Sequence, residues 1–215
     1  MSMNVLVLAA HPDDETLGAG ATIAKLASQG ANIKLVTFTD GLGARNESGD
    51  RNDRLEGVCE TLGINSFHSG NFPDNAMDTV RFLDVCKYIE SVVDFYPDII
   101  FTHHPDCLNI DHSIVYRATI TAYRPQHGKS NKILSYHVPS STDYNPRANF
   151  TGNVYYDVDG FVDKKIKALR LYDDEMREFP HTRSYANVIN KMTVNGGEVG
   201  LRYAEKFELI RDIVK

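Results

Sequence analysis

Met3–Gly30 reads MNVLVLAAHPDDETLGAGATIAKLASQG and joins an apolar run, a charged cluster and an amphipathic segment without a spacer. Residues 3–10, apolar except for Asn4, form a run rich in branched side chains, which is typical of a strand buried on both faces. Leu17, Ile23 and Leu26 then recur at helical spacing, and the glycine that closes the segment is a common helix end. The stretch therefore predicts a buried strand followed directly by a helix, as in the first half of a βαβ unit.

The same alternation of strands and helices continues along the chain. Further elements are predicted as strands at residues 33–39, 65–68, 98–102, 132–138 and 153–158 and as helices at 54–62, 80–93, 111–123, 162–172 and 185–193. Residues 203–210 fit a final strand or a helix. The alternation predicts an α/β, Rossmann-like three-layer fold with a mostly parallel sheet and helices on both faces. No repeat or linker interrupts the pattern, so we expect a single domain over residues 1–215.

The composition is that of an ordinary globular protein with an acidic balance. The 215 residues carry a formal net charge of −6, and 42% of them are hydrophobic. Nucleic acid is not an expected partner, because its phosphates attract a basic surface. Cys59, Cys86 and Cys107 show no CxxC spacing, so neither a disulfide framework nor a cysteine-bound zinc is expected.

The first residues show neither the basic start nor the cleavage pattern of a signal peptide, and no apolar run has the length of a membrane span. Together with the cysteine usage, these features predict a cytoplasmic protein without a transmembrane segment. The oligomeric state stays open, and a homo-oligomer is compatible with the sequence.

Charged and polar residues follow two of the predicted strands, at the point where each strand ends. Residues 11–15, HPDDE, follow the first strand, and residues 103–106 and 109–112 follow the strand at 98–102. Ligands of an open parallel sheet bind just beyond the carboxyl ends of its strands, so the clusters are expected to meet. Histidine with carboxylate suits zinc, and iron(II) or another divalent metal fits the same ligands. A carboxylate left beside the metal is then available as the base for a water molecule.

Other interpretations of these clusters stay open at this point. Asp14 or Glu15 fits a cap of the following helix, and histidines at strand ends are often surface groups. A metal-dependent phosphoesterase also uses His and Asp at strand ends, although a two-metal site needs more bridging carboxylates than the sequence places here. An inactive metal-binding scaffold is a further alternative.

A glycine pair in the first helix raises a different alternative. Gly18-Ala19-Gly20, with Asp40 at the end of the second predicted strand, resembles half of a dinucleotide-binding fingerprint. The glycines fall inside the helix instead of at the turn, and no third glycine completes the spacing. We therefore expect these small residues to let the helix pack closely on the sheet.

The charged clusters resemble the motifs of the PIG-L (LmbE-like) N-acetylglucosamine deacetylase family. The resemblance begins with HPDDE after an apolar strand. It covers most of the chain, through TDG at 39–41, FPDN at 72–75, LNIDH at 108–112, VPSST at 138–142, PHTRS at 180–184 and AEKF at 204–207. It implies a zinc-dependent hydrolase that releases acetate and a free amine from an N-acetylated amino sugar or sugar conjugate.

The resemblance also implies roles for individual residues, by their position in the motifs. It makes His11, Asp14 and His112 the zinc ligands and Asp13 the general base. It makes Asp111 a carboxylate behind the ligands, near the oxyanion side, where such groups orient ligands and tune the metal.

The sequence departs from the family pattern at Asn109. Many family members carry a histidine there, which is thought to stabilise the oxyanion or to protonate the leaving amine. An amide donates a hydrogen bond to an oxyanion but cannot deliver a proton. The acid is then Asp13 returning its proton, or another histidine, and His181 ranks first because it lies in a dense polar motif with Arg183. The histidines considered are His103, His104, His137 and His181.

The hydroxyls of a sugar require polar side chains in the loops around the site. The candidates for this role are Arg54, Asp74, Asp78 and Arg183. If the sugar is linked to a nucleotide, an arginine is expected to contact a phosphate. The candidates for that contact are Arg45, Arg51 and Arg54.

Overall fold

The computed structural model describes residues 2–41, 51–125 and 131–214, with only the backbone described at positions 51 and 52. A seven-stranded sheet runs through these residues in the order β3-β2-β1-β4-β5-β7-β6. Its strands are β1 (Asn4–Ala9), β2 (Asn32–Thr37), β3 (Ser66–Ser69), β4 (Ile99–His103), β5 (Lys132–Tyr136), β6 (Val154–Asp157) and β7 (Ala204–Asp212). The first five strands are parallel, and β7 runs antiparallel to both of its neighbours. The prediction of a mostly parallel sheet is confirmed.

Helices cover both faces of the sheet, as the three-layer prediction requires. The helices are α1 (Asp14–Ser28), α2 (Arg51–Leu62), α3 (Phe82–Val92), α4 (Ile110–Ala122), α5 (Val162–Leu169) and α6 (Tyr185–Gly197). Val5 and Val7 of β1 pack with α1, α2, α5 and α6, whereas Leu6 and Leu8 pack with α3 and α4. This alternation explains why β1 is apolar from Val5 to Ala9, because both of its faces lie in a core. None of the helices within the described residues is both long and apolar enough to span a bilayer.

The C-terminal third differs in detail from the predicted elements. The helix expected over 162–172 ends at Leu169, and a 3-10 helix continues over Arg170–Glu175. Within the 3-10 helix the backbone of Tyr172 departs from helical φ/ψ. The ring of Tyr172 is buried, and its hydroxyl donates to Glu15. Residues 204–212 form a strand, which places Phe207 in one core and Ile210 against the other. The sequence left a strand or a helix open for residues 203–210. The segment is a strand, and its side chains alternate between the two faces of the sheet.

The glycine pair of α1 serves close packing. A Cβ at Gly18 would overlap the ring of Tyr136 on β5, and a Cβ at Gly20 would lie 3.3 Å from the aliphatic stem of Lys165. The Tyr136 hydroxyl in turn donates to the backbone oxygen of Leu8 at 2.7 Å. Close packing therefore explains why Gly18 and Gly20 are small, and no dinucleotide site is needed to explain them. We expected this from their position inside the helix.

A buried ion pair fastens β7 and α5 to the middle of α1. Lys165 donates from Nζ to Glu205 Oε1 at 2.6 Å and to the backbone oxygen of Leu17 at 2.8 Å. Glu205 also accepts from the backbone nitrogens of Ala21 at 3.1 Å and Thr22 at 2.7 Å. Both charged side chains are almost completely buried, so each depends on the other for its charge to be compensated.

We expect the substitution Glu205→Gln to lower the free energy of unfolding by about 3–5 kcal/mol, because it leaves the Lys165 ammonium buried without a counter-charge. The measurement is chemical denaturation of both proteins. Glu198→Gln is the matched control, because Glu198 pairs with Lys206 at 2.8 Å on the surface and is 39% exposed. That control is expected to change stability by less than about 1 kcal/mol. Equal effects of the two substitutions would contradict the role of the buried pair.

Candidate metal centre and catalytic pocket

Three side chains meet where β1 and β4 end, as the predicted sheet edge requires. His11 follows β1, Asp14 is the first residue of α1, and His112 lies in the first turn of α4. The Nδ1 of His11 lies 3.1 Å from Asp14 Oδ2 and 3.3 Å from His112 Nε2, and the distance from Asp14 Oδ2 to His112 Nε2 is 3.2 Å. Because β1 and β4 are adjacent and parallel, the segments that follow them lie side by side.

This triangle of atoms fits a divalent metal. Ligands at 2.0–2.2 Å in a tetrahedral site lie about 3.3–3.5 Å apart, close to the observed edges. When both imidazoles are neutral, His11 Nδ1, His112 Nε2 and Asp14 Oδ2 can each direct a lone pair at a cation placed between them. Asp14 and His112 are 1% exposed, and Asp14 Oδ1 has no hydrogen-bond partner among the described residues. The donor set and its spacing therefore fit a metal ion.

The other ring nitrogen of His11 contacts two carboxylates. Its Nε2 lies 3.1 Å from Asp74 Oδ1 and 3.1 Å from Asp111 Oδ2. Asp111 also accepts from the backbone nitrogens of Asn75 at 2.8 Å and Met77 at 3.0 Å, which fix its carboxylate. Burial lowers the pKa of His11, but hydrogen bonds to the surrounding carboxylates outweigh it and raise the pKa well above its ordinary value. This arrangement orients a metal-binding imidazole through its second nitrogen.

The backbone of Asp13 is strained, and its carboxylate does not cap the helix that follows. Asp13 precedes α1 with φ 126°, a left-handed conformation that favours glycine, and its side chain makes no capping hydrogen bond. Glu15 instead reaches back to the Asp13 backbone nitrogen at 3.1 Å, and it accepts from Tyr172 and Thr16. The Glu15 side chain therefore caps the start of α1, whereas Asp13 lines the cavity beside the proposed metal ligands.

Arg183 holds the Asp13 carboxylate from the opposite side. Its Nη1 donates to Asp13 Oδ2 at 2.8 Å, and its Nε donates to Ser140 Oγ at 3.1 Å and to the Pro139 backbone oxygen at 3.3 Å. Burial raises the pKa of Asp13 well above its ordinary value, and the Arg183 charge opposes part of that rise. A carboxylate in such surroundings is a stronger base than an exposed aspartate.

A cavity of about 280 Å³ opens over these groups. Sequence-predicted residues that line it include Asp13, Asp74, Asn109 and Arg183, together with two of the proposed ligands. The full lining is His11, Pro12, Asp13, Gly41, Asp74, Asn75, Asn109, His112, Ser140, Ser141, Glu175, Arg177, His181 and Arg183.

Two predicted substrate-binding residues lie elsewhere. Arg54 pairs with Asp174 at 2.6 Å, and Asp78 is exposed in the 3-10 turn Met77–Thr79, so neither lines the cavity. The proposed substrate site therefore does not include them. Arg45 lies outside the described residues, and so does the side chain of Arg51.

Among the histidines considered as the acid, His181 lines the cavity and the others do not. His103 is buried behind the ligands, where its ring stacks on His112 with centroids 3.9 Å apart. His104 contacts Glu208, and His137 contacts Asp143. The backbone nitrogen of Arg183 donates to His181 Nδ1 at 3.0 Å, so the proton of the neutral ring is on Nε2. In this tautomer His181 can donate a hydrogen bond from Nε2.

Asn109 has a structural task in addition to its place in the cavity wall. Its Oδ1 accepts from the Asp111 backbone nitrogen at 2.9 Å and caps α4. Its Nδ2 donates to Asn75 Oδ1 at 2.7 Å, which leaves one N–H of the amide for another acceptor.

Sequence reasoning missed Glu175 and Arg177, which line the cavity next to Arg183. Glu175 is the last residue of the 3-10 helix that replaced the end of a predicted helix, and Arg177 lies two residues beyond it. The signal available was the dense charge of residues 173–178, DDEMRE, just ahead of the polar motif at 180–184.

Comparison with known proteins bears on this site. The profile of the PIG-L family, described as GlcNAc-PI de-N-acetylase, matches residues 6–123, more than half of the chain. A protein named uncharacterized deacetylase YaiS, from Escherichia coli, is 30% identical over 64% of this chain and 75% of its own length. A probable N-acetyl-alpha-D-glucosaminyl L-malate deacetylase 2 from Bacillus cereus is 26% identical over 85% of this chain and 90% of its own length.

Solved structures share the fold. That of the N,N'-diacetylchitobiose deacetylase from Pyrococcus horikoshii, in complex with an inhibitor, superposes with a TM-score of 0.77. It is 21% identical and covers 97% of this chain and 84% of its own. At that identity the likeness establishes the three-layer architecture and not the substrate.

Proposed function

The chain belongs to the PIG-L (GlcNAc-PI de-N-acetylase) family, and from that premise we propose that it uses zinc to hydrolyse the N-acetyl group of an amino sugar or sugar conjugate, with release of acetate and a free amine. Its named relatives are deacetylases, which makes the chain an N-deacetylase by class. The observation that carries the finer proposal is the triangle of His11, Asp14 and His112 with the Asp13 carboxylate beside it.

Zinc is the metal that we propose for this donor set. Two imidazoles and one carboxylate at tetrahedral spacing are a ligand set of catalytic zinc, which keeps a fourth position open. When bound, such a metal supplies a Lewis acid for the acetyl carbonyl and lowers the pKa of water. Iron(II) accepts the same ligands, so the metal content of the purified protein is part of the test.

Asp13 is the proposed general base. It takes a proton from the attacking water and returns it to the nitrogen of the departing amine, so one buried carboxylate serves both transfers. Its strained backbone, held by Glu15, and its pairing with Arg183 keep the carboxylate in the cavity wall. Arg183 positions the Asp13 carboxylate through its hydrogen bond. Because Arg183 also lines the cavity, a sugar bound there would lie beside it.

His181 and Asn109 are the proposed donors to the oxyanion. His181 offers Nε2–H, since its Nδ1 is already occupied by a backbone donor. Asn109 offers the remaining N–H of its amide. With Nδ1 blocked, His181 suits stabilisation of negative charge better than delivery of a proton.

We expect His181→Ala to lower kcat by about 100- to 1000-fold, the range found when one oxyanion donor is lost. Because the proposed role is that of a neutral donor, the shape of the pH–rate profile is expected to stay unchanged. His181→Gln, which keeps an N–H, is expected to recover part of the rate. His68→Gln is the matched control on an exposed histidine outside the cavity. Loss of a single limb of the pH profile in His181→Ala would instead identify His181 as the acid.

A phosphoesterase is the main alternative. A second set of potential ligands exists, His11 with Asp74 and Asp111, but it shares His11 with the first set. Two metals would need both nitrogens of that one ring, and both oxygens of Asp111 already accept backbone N–H groups. The geometry therefore favours one metal with an oriented imidazole.

The test of the proposal is a panel of N-acetylated sugars, sugar conjugates and nucleotide sugars, assayed in parallel with generic phosphate esters. Acetate and a free amine in equal amounts from at least one member support deacetylation. Release of phosphate without acetate would favour the phosphoesterase. A protein that holds metal and releases neither product would be the inactive scaffold.

A further inference from the structure

Arg177 is a charged group of the cavity wall that the proposed chemistry leaves unused. We infer that the Nε and Nη2 edge of its guanidinium binds an oxyanion of the substrate, a carboxylate or a phosphate, so that the preferred substrate is an acidic N-acetylated amino sugar. This inference rests on the proposed function and specifies its substrate class.

The hydrogen bonds of Arg177 fix its guanidinium and leave one edge open. Its Nη1 donates to the backbone oxygens of Asp174 at 2.6 Å and Met176 at 2.7 Å. Its Nε and Nη2 have no hydrogen-bond partner in residues 2–41, 51–125 and 131–214. These two nitrogens are one of the paired edges that match a carboxylate or phosphate with parallel N–H···O bonds.

The segment that carries Arg177 is held from several sides. Asp174, whose backbone oxygen accepts from Arg177, pairs through its side chain with Arg54. The Arg177 backbone nitrogen donates to the backbone oxygen of Arg183 at 3.4 Å. Anchoring of this kind positions a guanidinium in advance, so less side-chain entropy is lost when a ligand binds.

The charges around the cavity make Arg177 the arginine available to a ligand. Among the described residues, the other arginine of the wall is Arg183, which donates to Asp13 at 2.8 Å and lies 3.7 Å from Glu175. Arg177 makes no ion pair with any carboxylate of the described residues. A guanidinium held in a polar cavity, with no paired carboxylate in the part of the chain that the structure describes, favours an anionic ligand group.

The inference is tested with substrates that differ in one anionic group. We compare kcat/KM for N-acetylglucosamine, its 1-phosphate, its 6-phosphate and N-acetylmuramic acid, which separates phosphate from carboxylate. We expect the wild type to prefer at least one acidic sugar by about 10- to 100-fold, as for a hydrogen-bonded charge pair. Arg177→Gln is expected to remove that preference through KM and to leave N-acetylglucosamine within about twofold. Arg177→Lys keeps the charge but not the paired edge. Its preference for acidic sugars is expected to lie between those of the wild type and Arg177→Gln.

Arg202→Gln is the matched control, because Arg202 is 73% exposed and lies outside the cavity. Equal losses on neutral and acidic sugars in Arg177→Gln would show that Arg177 only shapes the 170–184 segment, and would overturn the inference. So would a wild type without any acidic preference.

A binding measurement separates this inference from the proposed function. Calorimetry on the metal-loaded protein compares glucosamine with glucosamine 6-phosphate, glucosamine 1-phosphate and muramic acid, none of which needs turnover. Tighter binding of an acidic sugar to the wild type, lost in Arg177→Gln, supports the anion site even if no acetate is released. Equal binding of neutral and acidic amines to both proteins would overturn it even if deacetylation is observed.

Discussion

Replacing Asp13 by asparagine is expected to lower kcat by about 100- to 10,000-fold, the range for loss of a positioned general base, and to leave the metal bound. Asparagine keeps the shape of the side chain but cannot accept the proton of the attacking water. None of the three atoms of the metal triangle belongs to Asp13, so Asp13→Asn leaves the proposed ligand set unchanged. The measurements are kcat on the best sugar of the panel and metal content per chain.

The matched control is Asp159→Asn, the same substitution at an aspartate that is 50% exposed on the surface. It is expected to have wild-type activity. An Asp13→Asn protein that holds metal and turns over at the wild-type rate would remove Asp13 from the mechanism. Loss of metal together with activity would instead assign Asp13 a role in holding the centre.

Replacing His112 by alanine is expected to abolish stoichiometric metal binding, and deacetylation with it. The substitution leaves two ligands where catalytic zinc requires three from the protein. Asp111→Asn is expected to act more mildly, by about 10- to 100-fold in metal affinity, because Asp111 is hydrogen-bonded to His11 and is not one of the three proposed ligands. Metal affinity is measured by competition with a chromogenic chelator.

His104→Ala is the matched control for His112→Ala, since His104 is also a buried histidine but lies outside the cavity. It is expected to keep one metal per chain, and thermal unfolding of each variant checks that it is folded. Full metal occupancy in His112→Ala would contradict the ligand assignment.

The fold was predictable because its determinants are local and repeated. The uninterrupted apolar run of β1 required a core on both faces, and the structure places Val5 and Leu6 in opposite cores. The meeting of His11 with His112 followed from the same argument, because neighbouring parallel strands deliver their following segments to one edge. The family resemblance then supplied roles that residue types alone left open.

What could not be predicted depends on contacts between segments that are distant in the sequence. Arg54 was expected to bind substrate, but it is paired with Asp174, some 120 positions further along the chain. Arg177 was missed because its segment takes its shape from the burial of Tyr172 against Glu15. No spacing rule in a single sequence encodes such pairings, whereas the three ligands lie in two short motifs that follow adjacent parallel strands.

The most direct test of the central claim, deacetylation at the centre of His11, Asp14 and His112, is to restore zinc stepwise to chelator-treated protein while acetate release is measured. We predict negligible release from the metal-free protein and a rate that rises in proportion to bound zinc until one ion is bound per chain. Acetate release that persists without metal, or none at full occupancy with the whole substrate panel, would contradict the account.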